Sequence, residues 1–140
     1  MTNLSSKFGT GVRTTMLVVS SDPNDPPMLT RTLVGWNVLR VFGCAEAIEA
    51  LKEWSDIAVV VCERDLPDGS WTDVLAAVQR MEHGSSFIVM SEDADELLWA
   101  DVLRRGGFDV VAKPLESGDI RRIMPQAARQ RHPLALAQAI

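Results

Sequence analysis

Five short apolar runs, rich in β-branched residues, punctuate the chain: Met16 to Val19, Val38 to Phe42, Ile57 to Cys62, Phe87 to Met90 and Phe108 to Ala112. Their hydrophobicity is continuous rather than alternating, the pattern of a strand covered on both faces. The segments between them repeat apolar residues at helical spacing. The first starts at Asp25 as a cap, has Pro26 in its first turn, and runs through Leu29, Leu33 and Val34 to Trp36. The second, Ala45 to Trp54, carries Ala47, Ile48 and Leu51, and the third follows Ser70 or Thr72 with Val74, Leu75, Val78 and Met81. The fourth, Asp93 to Arg105, stops at Gly106-Gly107, as a helix C-terminus does. Strands alternating with helices through short loops predict right-handed crossovers, and therefore an α/β fold. The expected architecture is a doubly wound, five-stranded parallel sheet with helices on both faces.

The pattern weakens at both ends. Residues 1–14 are polar and are expected to form a loose tail before a single domain over residues 15–131. Pro125 falls where a fifth helix should be continuous, so a break or kink is expected there. Residues 132–140 form a C-terminal tail that frays, extends the helix or packs on a partner.

Composition narrows the function classes. A chain of 140 residues with 46% hydrophobic and 24% charged residues is long enough for one core without metal or disulfide staples. Its net charge of -5 argues against nucleic-acid binding, since basic residues gather only between Arg121 and His132. Cys44 and Cys62 lack partners at metal-ligand spacing and read as buried fillers. His83 and His132 read as surface residues. No apolar run approaches the roughly 20 residues that span a bilayer, so no membrane contact and a cytoplasmic location are expected.

In a doubly wound sheet, ligands and reactive groups collect at the carboxyl ends of the strands. There the sequence places Ser20-Ser21-Asp22-Pro23, Glu63, Ser91 and Lys113-Pro114. Glu63 is followed four positions later by Pro67 in "LPDG", Ser91 follows "FIVM", and Lys113-Pro114 closes "GGFDVVAKP". In this order and spacing the chain resembles the receiver domain of two-component response regulators, the CheY-like family with flavodoxin-like topology, over residues 15 to 131. The resemblance implies signal transduction by phosphorelay and no enzyme activity of its own. In such domains an aspartate ending the third strand accepts a phosphoryl group, and an acidic pair ending the first helps hold Mg²⁺. A hydroxyl and a lysine after the next two strands then bind the phosphoryl oxygens.

Ser91 and Lys113 match that scheme, with Pro114 expected to follow a cis bond; three other positions depart from it. The acceptor position holds Glu63, whose carboxylate stands about 1.5 Å further from the backbone. The acidic pair is replaced by Ser20 and Ser21, poor ligands for a hard divalent cation. Val110 stands three residues before the lysine, where an aromatic commonly signals the switch, and a β-branched side chain has little rotamer freedom.

These departures suggest a near-neutral pocket of Glu63, Lys113 and two serines, in which Glu63 is a fixed charge paired with the lysine. Mg²⁺ binding is expected to be lost or weak and the pocket to hold no cofactor. Asp22 is expected to cap the helix or turn that follows and Asp65 to be a solvated turn residue. Ser91 fits a helix cap as well as a switch. Trp71, where such domains often carry glycine, is expected over the pocket mouth.

Together these features point to an atypical stand-alone receiver acting through protein contacts with a sensor kinase or downstream regulator. A homodimer through the Asp93 to Ala128 face is a further expectation. One alternative is a phosphorylatable receiver using Asp65 or Asp22. Another is an enzyme or cofactor binder on the same scaffold, disfavoured by the lack of a glycine-rich loop after the first strand.

Overall fold

A computed structural model describes residues 13–131. Most of the expected tail 1–14 and all of the tail 132–140, with His132, lie outside the described residues. At Thr14 the chain already engages the sheet, its carbonyl accepting the Asn37 N–H at 2.8 Å.

The strands are β1 (Thr15–Val19), β2 (Asn37–Val41), β3 (Val59–Glu63), β6 (Ser86–Ser91) and β7 (Asp109–Ala112), with the two-residue strands β4 (Asp65–Leu66) and β5 (Gly69–Ser70) forming a separate antiparallel hairpin. The helices are α1 (Asp25–Thr32), α2 (Cys44–Glu53), α3 (Trp71–Arg80), α4 (Glu96–Arg104) and α5 (Ser117–Arg129). The five long strands pair in parallel in the order β2-β1-β3-β6-β7.

The central strands β1 and β6 are buried throughout and β3 at all but its last residue, which explains why their sequences do not alternate. Side-chain alternation splits the apolar residues between two cores. Leu17, Val60, Cys62 and Val89 pack with α2 and α3 on one face, while Met16, Val59, Val61 and Ile88 pack with α1 and α5 on the other. The β3-β6 register sets Glu63 beside Met90, so the polar strand ends share one rim.

Three helices differ from expectation. α4 starts at Glu96 behind its N-cap Asp95 rather than at Asp93, because the Asp95 side chain accepts the Leu98 N–H. α1 stops at Thr32 rather than Trp36, and its N-cap is Asn24, which leaves Asp25 as the first helical residue. α5 runs through Pro125. Ile120 and Ile123 before the proline, and Ala127 after it, are buried in the same core. Packing on both sides of Pro125 outweighs the local cost of roughly 3 kcal/mol for a proline in a helix interior.

Candidate functional site

Ser20 is the last residue to follow the line of β1. Its backbone N–H still pairs with the Val41 carbonyl at 3.0 Å, and its hydroxyl points inward. That hydroxyl donates to Asp25 Oδ2 at 2.7 Å and accepts the Asp22 N–H at 3.0 Å, which folds the chain into a turn. Asp22 Oδ1 closes the turn by accepting the Asn24 N–H at 2.9 Å. This is the turn cap expected of Asp22, but its other oxygen does a second job.

Lys113 Nζ lies 2.9 Å from Glu63 Oε2, 2.9 Å from Asp25 Oδ2 and 3.0 Å from Asp22 Oδ2. An ammonium carries three N–H donors, so each donor has one carboxylate. The four side chains are withdrawn from solvent to different degrees, with exposures of 3% for Asp25, 8% for Lys113, 17% for Glu63 and 31% for Asp22. The second Glu63 oxygen is also engaged, accepting the Ser21 N–H at 3.0 Å and the Ser21 hydroxyl at 3.2 Å. Ser20 and Ser21 therefore hold carboxylates in place.

The near-neutral pocket expected from the sequence is corrected here. Three carboxylates share one ammonium, a formal charge of -2. β1 ends at Val19, and the turn that follows swings the Asp22 side chain back over the rim. By its sequence context Asp25 is only a helix cap. The available signal was an acid five residues after Ser20, directly before the double proline that starts α1.

The electrostatics follow the contacts. Burial alone would raise the Glu63 pKa, but the Lys113 hydrogen bond and the Ser21 donors outweigh it and hold the carboxyl below its usual range. Asp22 is held low by the Asn24 N–H and then by Lys113. For Lys113, burial opposes the charge, yet hydrogen bonds to Glu63, Asp25 and Asp22 keep its pKa well above the ordinary ammonium value.

One oxygen from each of the three carboxylates lies within 4.8 Å of the others, a spacing that could suit a metal ion. Lys113 Nζ already occupies the point on which they converge, and further oxygens are used by Ser21 and Asn24. In this arrangement the residues do not fit a divalent ion there, since it would have to displace the lysine.

Beside the cluster opens a cleft of about 230 Å³ lined by Glu63, Asp65, Ser91, Glu92, Asp93 and Lys113, among others. The exposed Asp65 carboxylate pairs with Arg64 at 3.0 Å. Ser91 is buried, its hydroxyl accepting the Asp93 N–H at 3.0 Å. Val110 is half-buried in β7, packed against the core that faces α2 and α3. The Lys113-Pro114 peptide is cis.

Trp71 does not cover this cleft. It is buried in the core, with the Arg105 guanidinium 5.8 Å from its ring centre. His83 has partners that its sequence context did not show: its ring nitrogens meet the Trp54 carbonyl at 2.7 Å and the Ser85 hydroxyl at 3.0 Å. Asp68 of the "LPDG" turn accepts the N–H groups of Cys44 and Ala45 at 2.7 and 3.1 Å, capping α2 across the fold.

Neither the protein-family models nor the curated proteins give a match to this sequence. Solved structures do. The CheX-CheY-BeF3-Mg²⁺ complex from Borrelia burgdorferi contains a chain similar to this one with a TM-score of 0.76 at 22% identity, covering 85% of this chain and 92% of that one. A two-component response regulator from Clostridium difficile gives 0.74 at 21%, covering 84% and 98%. The beryllofluoride-activated NtrC4 receiver domain dimer gives 0.75 at 19%, covering 83% and 97%. Strand order, the crossovers and this likeness agree: the chain has the flavodoxin-like fold of response regulator receiver domains.

Proposed function

We propose that this chain is a receiver-type signalling module that works through protein contacts, with Glu63 as a permanent charge and no phosphoryl transfer. The observation that carries this reading is the Glu63 carboxylate, which spends one oxygen on Lys113 and the other on Ser21. A carboxylate so held is a poor nucleophile: its lone pairs are engaged, and in-line attack tolerates little misplacement. An incoming phosphate would also meet four carboxylates in the cleft, Glu63, Asp65, Glu92 and Asp93, against two cations, Arg64 and Lys113, that are already paired with Asp65 and Glu63. Mg²⁺ binds weakly because it must displace a lysine that satisfies three carboxylates at once.

The face from Asp93 to Ala128 is the contact surface, meeting a sensor kinase, a downstream regulator or a second copy. Its α4 exposes Leu97, Trp99 and Leu103, three large apolar side chains on one nine-residue helix. The NtrC4 receiver domain is itself described as a dimer.

The deciding experiment is incubation of the full chain with acetyl phosphate and Mg²⁺, read by intact mass. The expected result is an unchanged mass. An added phosphoryl group on any carboxylate, Asp22 and Asp65 included, sinks the reading. As a converse test, Glu63→Asp with Ser21→Asp should bring measurable Mg²⁺ binding, read by titration calorimetry.

A further inference from the structure

The β2 edge of the sheet lies away from the acidic cluster. Among the described residues β2 pairs only with β1. Asn37 N–H and Val41 C=O point toward β1, bonding Thr14 and Ser20. Strand alternation therefore turns the N–H and C=O of Val38 and Arg40 outward. The next outward N–H, that of Phe42, donates to the Glu46 carboxylate at 2.7 Å.

Along this edge runs a groove of about 660 Å³ between β2 and the outer face of α2. Its floor is apolar, from Leu39, Val41 and Ala50, with exposed Phe42 and Trp54 among its walls. Its helical wall carries Glu46, Glu49 and Glu53. The two cations nearby do not cancel this wall. Lys52 meets Glu49 only at an exposed 3.4 Å, and Arg40, which also lines the groove, alternates with Leu39 and Val41 and so directs its side chain to the face on which Val38 packs.

We propose that the β2 edge takes up an extended segment of a partner protein bearing basic residues at alternate positions. Such a segment would add a strand beyond β2, using the outward groups of Val38 and Arg40. Every second side chain would then face α2. From Glu46 to Glu53 the helix advances about 10 Å at ~1.5 Å per residue. Alternate residues of a strand advance about 6.6 Å, so three basic side chains cover the three glutamates. Long cationic side chains suit the site because their aliphatic stems lie on Ala50 and Trp54 while their heads reach the carboxylates. A second copy of this chain would instead bring its own glutamates against these.

The test uses the full chain and two labelled, end-blocked peptides followed by fluorescence anisotropy. One alternates lysine and valine; the other has the same composition with the lysines in one block. The alternating peptide should bind about tenfold tighter or better. Arg40→Pro removes an outward N–H that no ladder uses, and Glu49→Lys with Glu53→Lys reverses the wall. Each should weaken binding about tenfold with the far-ultraviolet circular dichroism unchanged. The glutamate pair is exposed, so it decides the matter even if the proline variant folds poorly. Equal binding of both peptides, or indifference to the glutamate reversal, overturns the proposal. So does tighter binding after deletion of residues 1–12, which would make that segment the occupant, or a dimer that Arg40→Pro dissociates.

Discussion

Replacing Lys113 with methionine tests the centre of the molecule. The substitution keeps most of the side-chain volume and removes the charge on which Asp22, Asp25 and Glu63 converge. Breaking a buried ion pair by removing one partner costs about 3–5 kcal/mol. Asp25 is fully enclosed, but Glu63 and Asp22 retain some solvent, so the low end applies: about 3 kcal/mol at neutral pH. For a domain of this size that lowers Tm by about 10 °C.

The pH dependence separates this from simple loss of packing. In the native protein Glu63 and Asp22 have depressed pKa values, so their contribution is present above the ordinary values of 4.5 and 3.8 and fades as pH falls through the folded ones. Without the ammonium, three carboxylates within 4.8 Å repel one another, and Glu63 and Asp22 lose the partner that holds their pKa values down, so these two rise. A raised carboxyl favours the folded state at low pH and loses that contribution as pH rises. The variant should therefore gain stability between pH 7 and pH 5 while the native protein stays level. Mg²⁺ should also stabilise the variant more than the parent, because the convergence point is vacated. Urea unfolding followed by tryptophan emission at several pH values reads all of this. A loss below about 0.5 kcal/mol, or curves that stay parallel in pH, would refute the reasoning.

Three further outcomes are expected. In Gly43→Ala the new Cβ would stand 2.6 Å from Asp68 Oδ1, a carboxylate pinned by the first N–H groups of α2; thermal melting should show a lower Tm, and the penalty should shrink when Asp68 is also made alanine. Pro125→Ala restores an N–H inside α5 and should stabilise the protein by about 1–2 kcal/mol in urea unfolding, a fraction of the proline cost; a loss of stability would mean that the ring itself is needed in the core. Burial pushes the Cys44 thiol up to about 11 and that of Cys62 well above its usual value, so an aromatic disulfide reagent at pH 8 should modify both only on unfolding. Rapid modification of the native protein would contradict the packing around them.

Some of this could be read along the chain because its causes are local. Continuous apolar runs marked β1, β3 and β6, since a strand covered on both faces has no polar side to alternate. Gly106-Gly107 marked the end of α4 within a residue or two. The positions of Glu63, Ser91 and Lys113 followed from where those runs stop. Other features depend on residues far apart in sequence. The "LPDG" turn reads as turn chemistry, and nothing near it says that Asp68 caps a helix starting 24 residues earlier. Pro125 reads as a break, and only burial of Ile120, Ile123 and Ala127 in one core keeps the helix whole.

The site itself divides the same way. By itself the sequence determined which strand ends face the rim and that a glutamate, two serines and a lysine stand there, because periodicity and chain breaks are properties of neighbouring residues. Only the tertiary structure decided the charge of that rim. The turn after β1 carries Asp22 and Asp25 onto an ammonium contributed nearly 90 residues later, a meeting fixed by strand order and not by any local pattern.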